Sequence, residues 1–276
     1  MTAVSSFPPR VPRPHVVWTL VRREYASKRT YRLALLLDVL FAVANLLMFF
    51  FISRALDVQP DIGLNGAPSY FAFVLVGIAL TNVVGAASTG LAYRIREEQF
   101  TGTLEALLMQ PIRLTELSAG LAAYPFLLAM ARAALYILVG GGLLGVAFGG
   151  ASWLGFAVML VASALAFAGL GILLGAVVLV VKRGEALVGL LTYALGILGG
   201  AFFPIEVLPS WVEALAAVAP TRFAFDGVRA AIFEGGGWAG DAAVLFAFAA
   251  VSIPLANFLF SQAVEYTRRE GTMSQY

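Results

Sequence analysis

The sequence predicts an all-α polytopic membrane protein, and three observations support this fold class. Of the 276 residues, 61% are hydrophobic and 12% are charged, whereas a soluble domain usually carries about 25% charged residues. Apolar stretches of about 20 residues recur along the chain, and a helix of that length crosses the hydrocarbon core of a bilayer. The stretches are continuous rather than alternating in polarity, which indicates helices that satisfy their own backbone hydrogen bonds in lipid.

The apolar stretches predict six transmembrane helices, at residues 33–53, 70–93, 117–148, 153–181, 185–203 and 239–264. We therefore divide the chain into an N-terminal tail with an interfacial helix (residues 1–32), a transmembrane domain (33–264) and a cytoplasmic tail (265–276). The first stretch is not expected to be a cleaved signal peptide, because the basic region of 32 residues before it is too long for one.

The distribution of basic residues predicts the orientation in the membrane. An even number of spans places both termini on the same side. Fourteen Lys and Arg residues lie on that side, against Arg54, Arg222 and Arg229 on the other. Because basic residues concentrate on the cytoplasmic side of membrane proteins, we expect a multi-pass protein of the cytoplasmic (inner) membrane with both termini in the cytoplasm.

The segment before the first span predicts an amphipathic helix in the inner headgroup layer, in contact with membrane lipids. Its apolar and basic residues segregate at helical spacing. They are Val17, Trp18, Leu20, Val21 and Tyr25 on the one hand and Arg22, Arg23, Lys28, Arg29 and Arg32 on the other. Such a helix binds the membrane surface, although plain enrichment of cytoplasmic basic residues is the alternative. The proline-rich first dozen residues predict a flexible tail.

The longest inner loop, residues 94–116, contains a short amphipathic stretch that predicts a cytoplasmic helix ended by Pro111. Leu104, Leu107 and Leu108 share one face of this helix. One interpretation is a solvated loop. The other is a docking helix that enters a cleft of a moving partner, in which the acidic residues set the register and the leucines supply apolar contact.

The segment after the fifth span predicts a re-entrant helical hairpin on the outer side. It is apolar enough to contact lipid, yet Pro204, Pro209 and Pro220 interrupt it. Irregular backbone at membrane depth must be sheltered by protein or face a cavity. Arg222, Asp226 and Arg229 are spaced so that they can pair along one helix face.

Two motifs resemble the ABC transporter type 2 permease family: GTLEALLMQP in the inner loop, and FFPIEVLPSW followed by Pro220 and an Asp226-x-x-Arg229 pair. The resemblance extends from the basic helix to the end of the sixth span. It implies a dimer that works with two ATP-binding-cassette ATPase subunits. The residues that it assigns to ATPase coupling are Arg94, Arg96, Glu97, Glu98, Gly102, Thr103 and Glu105. Those that it assigns to an extracellular gate are Phe203, Pro204, Pro209, Trp211, Pro220, Asp226 and Arg229.

Three polar residues within the predicted spans are candidates for a substrate path. Asp38 and Asn45 are seven residues apart and share a face of the first span, and Arg132 falls within the third. Ionisable groups in hydrocarbon are costly unless they pair or face a cavity. The sequence leaves two readings open: a structural Asp38–Arg132 pair, or a lining of the path.

The sequence also predicts what the chain does not do by itself. It contains no G-x-x-x-x-G-K-[ST] loop, so ATP and Mg²⁺ are expected on a partner ATPase and no cofactor, metal site or catalytic residue is assigned to this chain. No nucleic-acid partner is implied.

The resulting hypothesis is a permease subunit, not itself an enzyme, of an ABC exporter. It would pair with a second permease copy or a paralogue and move an amphiphilic compound: a drug-like molecule, a lipid or a lipid-linked glycan. A secondary transporter or channel not coupled to ATP is the alternative; it would need ionisable residues near the midplane, for which only Asp38 and Arg132 qualify. An intramembrane enzyme would need paired catalytic groups within the spans.

Overall fold

A computed structural model describes residues 15–29, 32–56, 64–181 and 185–269. Within these ranges the regular secondary structure is helical, which confirms the all-α class. The helices are α1 (His15–Arg29), α2 (Arg32–Leu56), α3 (Tyr70–Phe100), α4 (Leu104–Leu108), α5 (Leu114–Gly142), α6 (Trp153–Val181), α7 (Glu185–Leu198), α8 (Ser210–Val218), α9 (Pro220–Arg229) and α10 (Trp238–Arg269). A 3-10 turn (Ile205–Val207) precedes α8, and a π-helical turn (Ala230–Glu234) follows α9. The predicted flexible tail and the last residues of the cytoplasmic tail lie outside the described ranges.

In the part of the chain that the structure describes, five helices are long and apolar enough to cross a membrane, namely α2, α3, α5, α6 and α10. The predicted fourth span coincides with α6. The second was too short, because α3 continues past residue 93 to Phe100. The third was too long, because α5 ends at Gly142 and the apolar residues after it form a turn in which Gly145 has a φ of 75°.

The predicted fifth span, residues 185–203, is not confirmed as a full crossing. Within the described residues its helix, α7, has 14 residues and is about 21 Å long, shorter than the hydrocarbon core of about 30 Å. The helix ends at Leu198 because Gly200 adopts a left-handed conformation with a φ of 64°. The count of six spans therefore stays a prediction.

Helix α3 is the centre of the bundle, and most of its membrane-length segment is buried. It packs between α5 and α6, and α6 packs against α10. Glycine permits the closest of these contacts: a Cβ atom on Gly171 of α6 would lie 2.1 Å from the carbonyl oxygen of Ala87 in α3.

Helix α2 lies at the edge of this bundle. It buries Ala42 and Leu46, while Leu40, Phe41 and Phe51 are exposed. Helix α1 packs mainly along α5, and its buried residues are Val21 and Glu24. The peripheral position of α2 leaves an open cleft between α2, α3 and α5.

Candidate functional site

The C-terminal end of α3 carries an ion-pair cluster formed by Arg23, Glu24, Arg94, Glu97 and Glu98. The buried guanidinium of Arg94 binds Glu24 of α1 and Glu97 of its own helix, and its Nη2 lies 3.3 Å from Glu98 Oε1. Arg23 of α1 also binds Glu98. Four of these five charged residues thus hold α1 directly against the end of α3. The sequence pattern did not indicate this link between the predicted interfacial helix and the predicted inner loop.

Gly102 and Thr103 form the turn that ends α3. Gly102 has a φ of 69°, its N–H donates to the Gln99 carbonyl at 3.0 Å, and the Thr103 N–H donates to the Glu98 carbonyl at 2.9 Å. This pair of hydrogen bonds is a Schellman motif. Glycine is favoured in it because glycine has no Cβ atom, which the left-handed conformation would strain. The Thr103 hydroxyl also donates to the Glu98 carboxylate. The turn therefore fixes the start of α4 relative to α3.

The apolar face of α4 corrects one part of the docking-helix prediction. Leu104, Leu107 and Leu108 are buried against the chain's own α3, α5 and α10, so they cannot supply apolar contact to a partner. An amphipathic pattern requires an apolar partner but does not say whether it lies in the same chain. Within residues 94–116, the large apolar side chains that stay exposed are Phe100 and Met109, at 65% and 84%. Arg96 lies over the Phe100 ring at 4.3 Å, and Glu97 is exposed while Glu105 is half-buried.

The outer segment, residues 199–237, folds into α8 and α9. Its prolines begin these helices: Pro209 is the N-cap of α8, and Pro220 is the first residue of α9, where a missing N–H costs nothing. Pro204 is buried, Phe203 is half-buried and Trp211 is exposed. Whether the segment dips into the membrane and returns stays a prediction.

Arg229 anchors the outer segment in a way that the sequence pattern did not indicate. Its side chain is almost fully buried, its Nη2 donates to the Gly200 carbonyl at 2.7 Å, and its guanidinium carbon lies 3.5 Å from the centre of the Phe73 ring. Burial lowers the pKa of Arg229 to about 9. A Cβ on Gly77 would lie 1.8 Å from the Ala201 carbonyl oxygen. The turn after α7 is thus held tightly to α3.

The predicted three-residue pairing on α9 is therefore wrong for Arg229. Asp226 accepts from Arg222 Nε at 3.4 Å and from Asn65 Nδ2 at 2.7 Å. Arg229 binds backbone carbonyls instead, because its end of α9 is enclosed by Phe73 and Phe225. Burial raises the pKa of the Asp226 carboxyl, and Arg229 and Arg222 act in the opposite direction. Asn65 was missed, although an Asn-Gly pair is a turn signal and Asn65 has a φ of 46°.

The three in-span polar residues meet in the cleft between α2, α3 and α5. Arg132 Nη2 donates to Asp38 Oδ2 at 2.8 Å, and both residues line an open space of about 440 Å³ together with Asn45. The Asp38–Arg132 pair, one of the two interpretations that the sequence left open, is present and faces the cleft.

Sequence reasoning missed three further polar residues in the lining, Thr81, Asn82 and Tyr136. The adjacent Thr81 and Asn82 interrupt the apolar stretch of α3, and Tyr136 follows Arg132 by one helical turn. The apolar lining includes Phe41, Met48, Phe49, Ile78 and Phe202. Among the described residues, no group of three or more acidic or histidine side chains could hold a metal ion.

A bundle of membrane-length helices with a polar cleft open between them has the architecture of a membrane transport protein. The family model of the ABC-2 type transporter matches residues 15–233, from the start of α1 into the π-helical turn, and the chain belongs to this family. It is therefore a permease of an ABC transporter, and the family implies partnership with an ABC ATPase subunit. Compared with the curated proteins, the chain matches none.

Proposed function

We propose that this chain is the permease subunit of an ABC exporter that moves an amphiphilic compound across the cytoplasmic membrane. A separate ATPase subunit binds and hydrolyses the ATP. The observation that carries the proposal is the cleft, in which the Asp38–Arg132 pair and Asn45 lie beside Phe41 and Met48. A charged pair within apolar spans is costly unless it faces a cavity, and a lining with polar and aromatic parts suits a cargo with a headgroup and an apolar body.

The inner end supports a mechanical route from the ATPase to the cleft. The ion-pair cluster and the Gly102 turn join the inner loop to both α1 and α3. A partner that pushes on Phe100 and Met109 would displace α3 as a rigid rod. Asn82, which lines the cleft, lies 18 residues from Phe100 on this helix, a distance of about 27 Å. ATP energy would then reach the cargo through helix movement.

The outer segment supports a role as the extracellular gate. Phe202, the residue before the predicted Phe203, lies in the lining of the cleft. The Tyr70 hydroxyl donates to the Phe202 carbonyl at 3.0 Å, and Arg229 holds the adjoining turn. Movement of this turn away from α3 would open the outer end of the cleft.

The edge position of α2 supports a dimer with a second permease copy or a paralogue. Asp38 and Asn45 open onto a face whose α2 side chains, including Phe41 and Met48, are largely exposed. A second subunit over this face would shelter the polar groups from lipid. We place both termini in the cytoplasm on the charge distribution described above.

The proposal is tested by purifying the chain in complex with an ABC ATPase subunit from the same organism and measuring ATP hydrolysis. We expect amphiphiles to stimulate hydrolysis in the wild type. Asn45→Trp, which fills the cleft, should abolish the stimulation and leave basal hydrolysis unchanged, while Leu255→Trp on the exposed side of α10 should change neither. Stimulation that survives Asn45→Trp would contradict a path through the cleft. Movement of cargo that is driven by an ion gradient, without any ATPase, would favour the secondary transporter.

A further inference from the structure

The Asp38–Arg132 pair differs from the other inter-helix ion pairs of the bundle in its accessibility. The side chains of Asp38 and Arg132 are 53% and 30% exposed. Each of the other two inter-helix pairs of the described residues contains a buried acid: Glu98, 6% exposed, pairs with Arg23, and Glu24, 9% exposed, pairs with Arg94. The structure gives one hydrogen bond between Asp38 and Arg132. A guanidinium has five N–H donors in a planar fork, so Arg132 has the capacity to bind a second anion from the cleft.

The two partners are unequal in how firmly they are held. Arg132 belongs to α5, which packs against α1 and α3. Asp38 belongs to α2, which buries only a narrow face around Ala42 and Leu46, and it is the more exposed of the pair. Release of Asp38 into the cleft therefore disturbs less packing than release of Arg132. The group that can exchange is the carboxylate, and the group that stays is the cation.

The rest of the lining carries no charge. Along α2 the charged Asp38 comes first, Phe41, Ala42 and Asn45 follow, and Met48 and Phe49 lie furthest from Asp38, where Phe202 closes the lining. Asp38 is six residues from the start of α2, about 9 Å along the axis, close to the depth of the inner headgroups. Arg22 and Arg29 of α1 are exposed on the same side of the membrane and would attract anions.

We propose that the cleft recognises an amphiphile with an anionic phosphate headgroup, which takes the place of Asp38 on Arg132. This inference rests on the proposed export function for its purpose, but the binding itself needs no ATPase. The headgroup would receive two parallel N–H bonds from the guanidinium, the geometry in which Arg binds phosphate best. Asn45 and Tyr136 can add neutral donors, and the apolar chain would lie along Met48, Phe49 and Phe202.

The test measures binding to the purified full chain in a maltoside detergent. Because the chain contains no cysteine, an environment-sensitive fluorophore can be attached at Met48→Cys alone. The probes are dodecyl phosphate, dodecyltrimethylammonium and inorganic phosphate. We expect saturable binding of dodecyl phosphate, roughly tenfold tighter or more than that of the other two, since dodecyltrimethylammonium lacks the charge-assisted hydrogen bonds and inorganic phosphate lacks the apolar chain.

Two variants separate the exchange from a purely structural pair. Arg132→Gln should weaken the binding of dodecyl phosphate at least roughly tenfold. Asp38→Asn should tighten it, because the competing carboxylate is gone. Glu265→Gln is the matched control: it removes the acid of an exposed pair with Arg269 on α10 and should leave binding unchanged.

Unchanged or weaker binding in Asp38→Asn would overturn the proposal, even if Arg132→Gln failed to fold. Equal tightening in Glu265→Gln would reduce the effect to net charge and also overturn it. Tight binding of inorganic phosphate alone would show that the apolar chain plays no part. The binding assay contains no ATPase, so its result does not depend on export. A chain that binds dodecyl phosphate in this assay but does not export with its ATPase would contradict the proposed function and leave this inference standing.

Discussion

Phe202 stacks on Phe49 at the end of the cleft away from Asp38, with ring centroids 5.6 Å apart and ring planes 17° from parallel. Phe49 belongs to α2, and Phe202 belongs to the turn that follows α7. This contact joins the edge helix of the bundle to the outer segment. A cargo that leaves the cleft past this contact would have to part the two rings, so we infer that the pair closes this end of the cleft.

Replacement of Phe202 by alanine should open this closure. Removing one ring of an aromatic pair loses its stacking and leaves a gap. We expect vesicles that contain Phe202→Ala to release an entrapped amphiphilic dye without ATP, several times faster than wild type. Phe258→Ala, a change at an exposed position of α10, should release dye at the wild-type rate. Equal rates for wild type and Phe202→Ala would remove the gate role from this contact.

The contact between Gly77 and the turn at Ala201 makes a stability prediction with a control in the same helix. A Cβ at Gly77 would lie 1.8 Å from a backbone oxygen, whereas a Cβ at Gly85 would meet only a Thr192 methyl group at 3.7 Å. We expect Gly77→Ala to destabilise the protein by about 2 kcal/mol, as overpacking does. Gly85→Ala should be neutral or slightly stabilising, because alanine favours helix. Thermal unfolding in detergent measures both; similar melting temperatures would contradict the close packing of α3 on the outer turn.

The exposed apolar residues of the inner loop make a prediction about ATPase binding. Phe100→Ala with Met109→Ala should weaken association with the ATPase roughly fivefold or more, as loss of an interface anchor does, without changing the melting temperature. Leu107→Ala should instead lower the melting temperature, because it removes a buried side chain, and should leave association with the ATPase unchanged. Co-purification and thermal unfolding distinguish the two. If Leu107→Ala alone reduced association while folding normally, the inward packing of α4 would not describe the working complex.

The course of the chain through the membrane can be predicted for the outer segment. Glu206 and Glu234 are both exposed and lie on either side of α8 and α9. Single cysteines at these positions should both react with an impermeant thiol reagent in intact cells, while Gln110→Cys in the inner loop should react only after permeabilisation. Reaction at only one of the two outer positions would show that the segment crosses the membrane, and would exclude the hairpin.

The predicted bounds of a span agree with those of its helix where the apolar stretch and the helix end at the same residue. The bounds of α6 were predicted because an uninterrupted apolar run fills the whole helix. The C-terminal ends of α3 and α5 were not predicted correctly, for opposite reasons. Charged residues end the apolar stretch at Arg94, but their own pairing at three- and four-residue spacing continues the helix. Apolar residues continue after Gly142, although the helix does not.

The candidate cleft could be predicted only in part. Asp38 and Arg132 stand out because charge is rare in apolar spans. Thr81, Asn82 and Tyr136 are neutral, and their place in the lining depends on which faces of α3 and α5 turn towards α2, which no local pattern specifies. The same limit applies to Leu104 and its neighbours, whose apolar partner proved to be the chain itself.

The central claim is that ATP hydrolysis by a partner drives an amphiphile through this cleft, and transport into inside-out vesicles tests it most directly. The vesicles contain the chain and its ATPase, and accumulation of a labelled amphiphile is followed with and without ATP. We predict accumulation that requires ATP, is lost when the ATPase is hydrolysis-deficient, and is lost in Asn45→Trp but kept in Leu255→Trp. Accumulation that proceeds at the wild-type rate without ATP, or that Asn45→Trp leaves intact, would contradict the claim.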